Sequence, residues 1–410
     1  MHCLPLGAGD DDHDCQQHRH SGDTLFAATV HDRSVLTQRQ LNRATLARQL
    51  LLDRGRLDVV DAVHRVVALQ AQEPASPYLA LWNRVARFDP AELDTAFAEH
   101  RVIKATLMRI TLHAVDATDH PPFREAMVET LRAGRLHDRR FKATGLTNED
   151  ADALVPELLE FASRSRTNVE FEAFLEARVG PTPKPGPWWA FRSVAPFVHA
   201  PTGGPWTFGP RPSYVASPTA PFPSDRNEAV QRLVWRYLEG FGPATVQDIA
   251  QFGPIYRPPI RDAVQALAGR LETMEGPDGA ELYDVPGGLQ PAEDTPAPPR
   301  LMAMWDSVLL AYLDRSRVLP AEYRKLVMRN NGDVLPTLLV DGYVCGVWRP
   351  VDGGIEATAF HPLARDAWKG LAAEARDLVA LLADREPQVY RRYARWWRDL
   401  PSAEIRVLHG

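Results

Sequence analysis

From Leu41 onward the apolar residues recur at helical spacing. Leu41, Thr45, Leu46, Gln49 and Leu50 share one face, and Thr37 stands where an N-terminal cap belongs. Val59, Val60, Val63, Val66 and Val67 mark a second helix, expected to run on through Gln70 until Pro74 disfavours helical backbone at Glu73. Short helices over 78–85 and 90–100 follow. The runs 104–109 and 111–115 then read as two strands. Helices closed by a hairpin are the order of a winged helix.

The pattern repeats. A linking helix over 122–140 leads to helices over 150–164 and 169–178, a stretch with Pro181, Pro183, Pro185 and Pro187, and strands at 197–199 and 214–216. Next come helices over 228–239, 245–251 and 259–269, then strands at 270–274 and 281–285 across the turn Gly276-Pro-Asp-Gly279, the clearest helix-turn-helix and wing in the chain. Beyond Pro291, Pro296, Pro298 and Pro299, strands at 334–340 and 343–349 flank Asp341-Gly342, a two-residue hairpin signal. A strand at 353–360 and a helix over 364–383 complete the C-terminal module. The expected fold class is α+β: a tail over 1–34, units over 35–120, 121–222 and 223–290, and a C-terminal module over 300–410.

Composition narrows the class. At 410 residues, 45% hydrophobic and 24% charged, the chain is that of a globular protein of several modules. No apolar run is long enough to span a membrane, no secretory signal opens the chain, and Cys3, Cys15 and Cys345 build no disulfide framework, so the cytoplasm is the expected compartment. Cys3 and Cys15 with His13, His18 and His20 lack zinc-site spacing. The net charge of −6 argues against a nucleic-acid partner until it is located: residues 1–34 carry −4 of it. Basic clusters then stand out at Arg132, Arg135, Arg139, Arg140 and Lys142, at Arg315, Arg317, Arg324, Lys325 and Arg329, and at Arg391, Arg392, Arg395 and Arg398. Where cations cluster decides binding to phosphates, not their sum. No P-loop, dinucleotide fingerprint or His-Glu-x-x-His zinc motif is present, and no cofactor or metal is expected.

Five segments match one pattern in order: Leu36-Thr-Gln-Arg-Gln-Leu-Asn-Arg-Ala-Thr45, Leu69-Gln-Ala-Gln-Glu-Pro74, Met108-Arg-Ile-Thr-Leu-His113, Phe241-Gly-Pro-Ala-Thr245 and Asp314-Arg-Ser-Arg-Val-Leu-Pro320. With them, nearly everything beyond the tail resembles the AlkZ/YcaQ-like family of winged-helix DNA glycosylases, and Gln70-Ala71-Gln72 matches its Gln-x-Gln, azinomycin-resistance branch. The resemblance implies three tandem winged helices and a C-terminal β-barrel-like domain in a C-shaped channel around duplex DNA. It implies a monomeric, monofunctional glycosylase with Gln70 and Gln72 as catalytic residues. The expected substrates are cationic N7-alkylguanines in double-stranded DNA, with N3-alkyladenines and interstrand cross-links as extensions. The alternative class is a non-catalytic winged-helix regulator.

Neutral amides suit such a substrate. A purine alkylated at N7 already carries positive charge and becomes neutral as its glycosidic bond breaks, so little general-acid help is needed. A glutamine carbonyl can orient water and place a negative dipole beside the developing sugar cation. The expected geometry is a frayed helix end from which an extended Gln72 swings to the cavity that Gln70 faces, with Glu73 in solvent. Candidate DNA contacts are Arg109 and His113 on the first hairpin, Arg315 and Arg317 on the backbone, and Asp341, Gly342 and Tyr343 as a probe into a groove. Trp188, Trp189, Trp396 and Trp397 are expected in the core more than on bases.

Overall fold

Thr37 caps the first helix as its spacing predicts. Its hydroxyl accepts from the Gln40 amide at 3.1 Å while the Gln40 side chain accepts from Thr37 N at 2.8 Å, a reciprocal box. The computed structural model describes residues 35–398 and 400–410, and the expected tail over 1–34 lies outside the described residues. From there the chain forms α1 (Gln38–Arg48), α2 (Val59–Val66), β1 (Leu69–Gln70), α3 (Ser76–Arg84), α4 (Pro90–Ala98), β2 (Val102–Thr106) and β3 (Leu112–Asp116). The three strands make an antiparallel sheet in the order β1-β3-β2.

The middle of the chain supplies α5 (His120–Leu136), α6 (Arg139–Lys142), α7 (Asn148–Phe161), β4 (Arg166–Thr167), α8 (Asn168–Val179), α9 (Trp188–Val194), β5 (Phe197–Ala200) and β6 (Ser213–Ala216). Here too the strands form a small sheet, in the order β4-β6-β5. Then come α10 (Arg226–Phe241), α11 (Val246–Phe252), α12 (Arg257–Ala266) and the hairpin of β7 (Glu272–Glu275) and β8 (Glu281–Asp284). Thr147, Thr167 and Thr245 repeat the reciprocal cap of Thr37 at α7, α8 and α11.

The C-terminal module contains β9 (Arg300–Leu301), α13 (Arg324–Val327), β10 (Thr337–Val340), β11 (Tyr343–Val351), β12 (Gly354–Ala359), α14 (Arg365–Ala383) and β13 (Glu404–His409). Its sheet runs β13-β12-β11-β10-β9 and is antiparallel throughout. β9 and β13 do not pair with each other, so among the described residues this is an open sheet with two edges, where barrel-like closure was expected. A bulge at Leu338 and Leu339 shifts its register.

Beyond residue 34 the chain is one compact unit, and its cores cross the expected module borders. One core joins Leu46, Val63 and Tyr78 to Trp348, Leu371 and Leu408; a second joins Ile103 and Phe123 to α10, α11 and Tyr312. Buried ion pairs bridge the same borders. Arg48 of α1 forks onto Asp284 of β8 at 2.7 and 2.6 Å, and Arg84 of α3 onto Asp306 at 2.8 and 2.7 Å. These carboxylates sit far along the chain from their arginines, so they set the docking of distant segments rather than stabilise any one helix.

Candidate active site

α2 ends at Val66, earlier than its pattern suggests, because Val67 turns to φ +73° and closes the helix onto the carbonyl of His64. The chain then leaves as β1. Leu69 pairs with Ala114 and Gln70 with His113, and the amide of Ala71 extends the ladder to the carbonyl of Leu112 at 2.8 Å. The glutamine pair thus lies on a strand and the loop after it, not at a frayed helix end. Pairing with β3, not Pro74, decides its conformation.

The two glutamines also separate. Gln70 is 4% exposed, and its Oε1 accepts the backbone N–H of Gln72 at 2.9 Å. That bond folds the chain at Ala71 and presents Gln72, which is exposed, to a cavity of about 370 Å³. Gln70 does not line this cavity. Directly opposed residues of an antiparallel sheet share a face, so Gln70, His113 and Ala105 lie on one side and Leu69, Ala114 and Lys104 on the other. The cavity is lined on its first flank by Gln72, Lys104, Thr106 and Leu112, and on the second by Arg135, Arg192, His199, Phe208 and Tyr214, with Arg392 also in its wall. Two larger grooves, of about 1000 and 1180 Å³, lie elsewhere and contain neither glutamine. Among the described residues, no carboxylate lines the smaller cavity.

Lys104 was not anticipated. Its side chain is 4% exposed, and its ammonium lies 4.1 Å from the centre of the Phe208 ring, with no ion-pair partner among the described residues. Burial pulls its pKa down to about 7, with Glu73 opposing the fall. The one signal in the sequence was its type: only five of 47 basic residues are lysines. An unfolded lysine titrates near 10.4, so between about pH 7 and that value the unfolded chain binds the extra proton and this group makes stability rise with pH. Below pH 7 the full cost of a buried ammonium is present. Lys104→Met should therefore raise the melting temperature at pH 6, with the gain shrinking towards pH 10. A gain that grows with pH would contradict this account.

Glu73 is not solvated as expected. It is largely buried, paired with Arg392, and accepts from the Tyr393 hydroxyl at 3.0 Å. Burial raises its pKa and the arginine partly offsets the rise. The strand connection behind the pair is unusual. Arg109 and Ile110 both adopt left-handed backbone, φ +53° and +56°, which costs non-glycine residues about 1 kcal/mol or more each. Ile110 packs into space left by Gly134, where a Cβ would approach to 2.7 Å. Arg109 Nη2 donates to His113 Nε2 at 3.3 Å, and His113 Nδ1 donates to the Thr111 carbonyl at 3.1 Å. Burial and Arg109 hold His113 neutral, with a pKa of about 3. His113 is a bracket under the Gln70 strand and cannot reach a phosphate.

The remaining expected contacts divide. Arg109 keeps one buried nitrogen, Nη1, without a partner, as Arg315 keeps Nε. Each is depressed by burial, and Arg315 further lowers Arg109, to about 10. Arg317, in contrast, is buried over the Tyr312 ring and donates to the Pro243 carbonyl at 2.9 Å. The Asp341-Gly342 turn forms as expected, with φ +50° and +81°. It is seated on α1, however: Asp341 accepts from Arg39 at 2.7 Å and from Arg43, and a Cβ on Gly342 would meet Asn42 and Leu46 at 2.6 Å. Half-buried Tyr343 sits beside the same arginines. A tip held in this way is no free probe. Trp188 and Trp397 are core residues, while Trp189 is covered by Arg140 at 3.9 Å.

Residues 63–381 match the family model described as DNA glycosylase AlkZ-like. The chain belongs to that family. It is a DNA glycosylase. An interstrand DNA cross-link repair glycosylase of Streptomyces sahachiroi is 26% identical over 361 residues, covering 82% of this chain and 94% of the relative. The solved structure of Streptomyces sahachiroi DNA glycosylase AlkZ shares the fold, with a TM-score of 0.71 at 22% identity over 85% of this chain and 96% of that one. Among the described residues of this glycosylase, no helix is long and apolar enough to cross a membrane.

Proposed function

We propose that this glycosylase excises cationic N7-alkylguanines, and by extension N3-alkyladenines, from double-stranded DNA, acting as a cytoplasmic monomer. Water, not a protein amine, is the nucleophile of excision. The observation that carries the reading is the placement of Gln72 at a basic cavity without a carboxylate in its lining. Such a site offers a dipole for water and for the sugar cation but no carboxylate. It therefore works on a base that is already charged. Phosphates drawn by Arg135, Arg192 and Arg392 supply the counter-charge that admits a cationic lesion.

Gln72 orients the water, and Gln70 holds the Gln72 backbone in place. Arg109 and Arg315 are assigned to phosphates. The helix-then-hairpin units over 35–120, 121–222 and 223–290 act as winged helices lining a C-shaped channel with the C-terminal module. The name of the Streptomyces relative supports unhooking of interstrand cross-links by the same cleavage in repair, and the Gln-x-Gln pair supports a part in self-resistance. Flipping a bulky or cross-linked nucleotide into a tight pocket is sterically costly, and an open cavity reached from the groove reduces that cost.

The test uses duplexes carrying one N7-methylguanine or one azinomycin-type cross-link, followed by heat or alkali to reveal abasic sites. Both should yield them, and Gln70→Ala combined with Gln72→Ala should abolish the yield. Activity that survives the double substitution removes this site. Absence of release from every cationic lesion removes the substrate assignment.

A further inference from the structure

We propose that Lys104 gives the protein a second activity: its amine condenses with the abasic deoxyribose left by excision and cleaves the strand by β-elimination. The proposal rests on the excision reading only for the source of that sugar. Three observations carry it. Lys104 shares the cavity of Gln72, so the product of a reaction at Gln72 forms next to this amine. Lys104 is 4% exposed, and its described neighbours give the ammonium a ring face, not an ion pair. The other four lysines, Lys142, Lys184, Lys325 and Lys369, are all exposed. In a chain that uses arginine almost everywhere, lysine stands at the buried position, and only lysine can shed its proton there. A pKa of about 7 leaves much of it neutral near physiological pH. The charged or titratable groups around it are Glu73, which is held by Arg392 and Tyr393, the imidazole of His199, and Arg135 and Arg192 in the cavity wall. Burial and Lys104 itself keep His199 far below its ordinary pKa, as a neutral base.

The chemistry balances without a co-reactant. Neutral Nζ adds to the C1′ aldehyde of the ring-opened sugar, water leaves, and a protonated imine forms. His199 takes the C2′ proton. The electron pair moves to form C2′=C3′, the C3′–O3′ bond breaks, and the 3′ phosphate departs with the strand. Water then hydrolyses the imine and returns the amine.

The experiment supplies the abasic duplex ready-made, so it does not depend on base release. Full-length protein is incubated with this duplex and sodium borohydride, which reduces the imine to a stable secondary amine. Expected are a covalent protein–DNA adduct mapping by peptide mass to Lys104 and, without borohydride, strand cleavage that needs no alkali. Lys104→Arg, which keeps the charge but cannot form an imine, should lose at least about 100-fold of the adduct while still binding the duplex in an anisotropy titration. The wild-type mapping stands even where a variant folds poorly. No adduct from wild-type protein, or an adduct mapping to another amine, overturns the proposal. If wild-type protein releases N7-methylguanine yet forms no adduct, the excision reading survives and the lysine role falls. An adduct without release of any base leaves the lysine role standing and overturns the excision reading.

Discussion

Gln72→Ala should lower the single-turnover rate of N7-methylguanine release by about 10²-fold, the usual cost of removing one oriented dipole from a reacting centre. Gln70→Ala should cost less, roughly tenfold, because its Oε1 acts through a single hydrogen bond to the Gln72 amide. The conservative change separates the roles. Gln70→Glu keeps an acceptor oxygen at the same reach and should restore most of the rate, with substrate binding little altered. Gln72→Leu, which keeps the volume but not the dipole, should not. Equal losses from both alanine variants, with no rescue by glutamate, would show that Gln70 touches the reacting atoms itself.

The second large effect is on stability. Asp306→Ala should cost about 3–5 kcal/mol, because it strands the Arg84 guanidinium in a site where both side chains are fully buried. That is a large part of the 5–15 kcal/mol typical of a folded domain. The carboxylate accepts both Arg84 nitrogens and caps the Val308 amide at 3.2 Å, so three hydrogen bonds are lost together, and only Arg84 Nη1 keeps another acceptor, the Ala80 carbonyl at 3.0 Å. Pairing Arg84→Met with Asp306→Leu should recover most of the loss in a urea titration, since neither charge then needs solvation. The site would feel the single change: α3 starts at Ser76, four residues beyond Gln72, and Ser76 is held by the Tyr390 hydroxyl at 3.0 Å. A single variant as stable as the parent would mean that water reaches this pair.

Much of the fold was legible because it rests on local signals. The helices over 226–241 and 365–383 lie within a few residues of their expected ranges, and Thr37 caps where its spacing places it. The backbone of the glutamine pair was misjudged. Valine-rich sequence continues past Val66, and only the left-handed turn at Val67 and the pairing with β3 end the helix; both are set by tertiary contacts. Lys104 and His199 lie 95 residues apart and meet because β2 packs on β5, which no local pattern encodes. The Asp341-Gly342 turn was read correctly as a turn, but its seat on α1 was not foreseen. Its composition specifies φ, whereas its seat on α1 depends on Arg39 and Arg43, some 300 positions earlier.

The central claim is that a neutral amide, in a cavity without a carboxylate, limits this glycosylase to lesions that already carry charge. It is tested most directly by single-turnover release from matched duplexes that differ only in the lesion: N7-methylguanine against uracil and 1,N6-ethenoadenine. Free N7-methylguanine should appear rapidly, with little or no release of either uncharged base. Comparable release of uracil or ethenoadenine would contradict the account, because an uncharged leaving base needs acid help that a glutamine dipole does not supply.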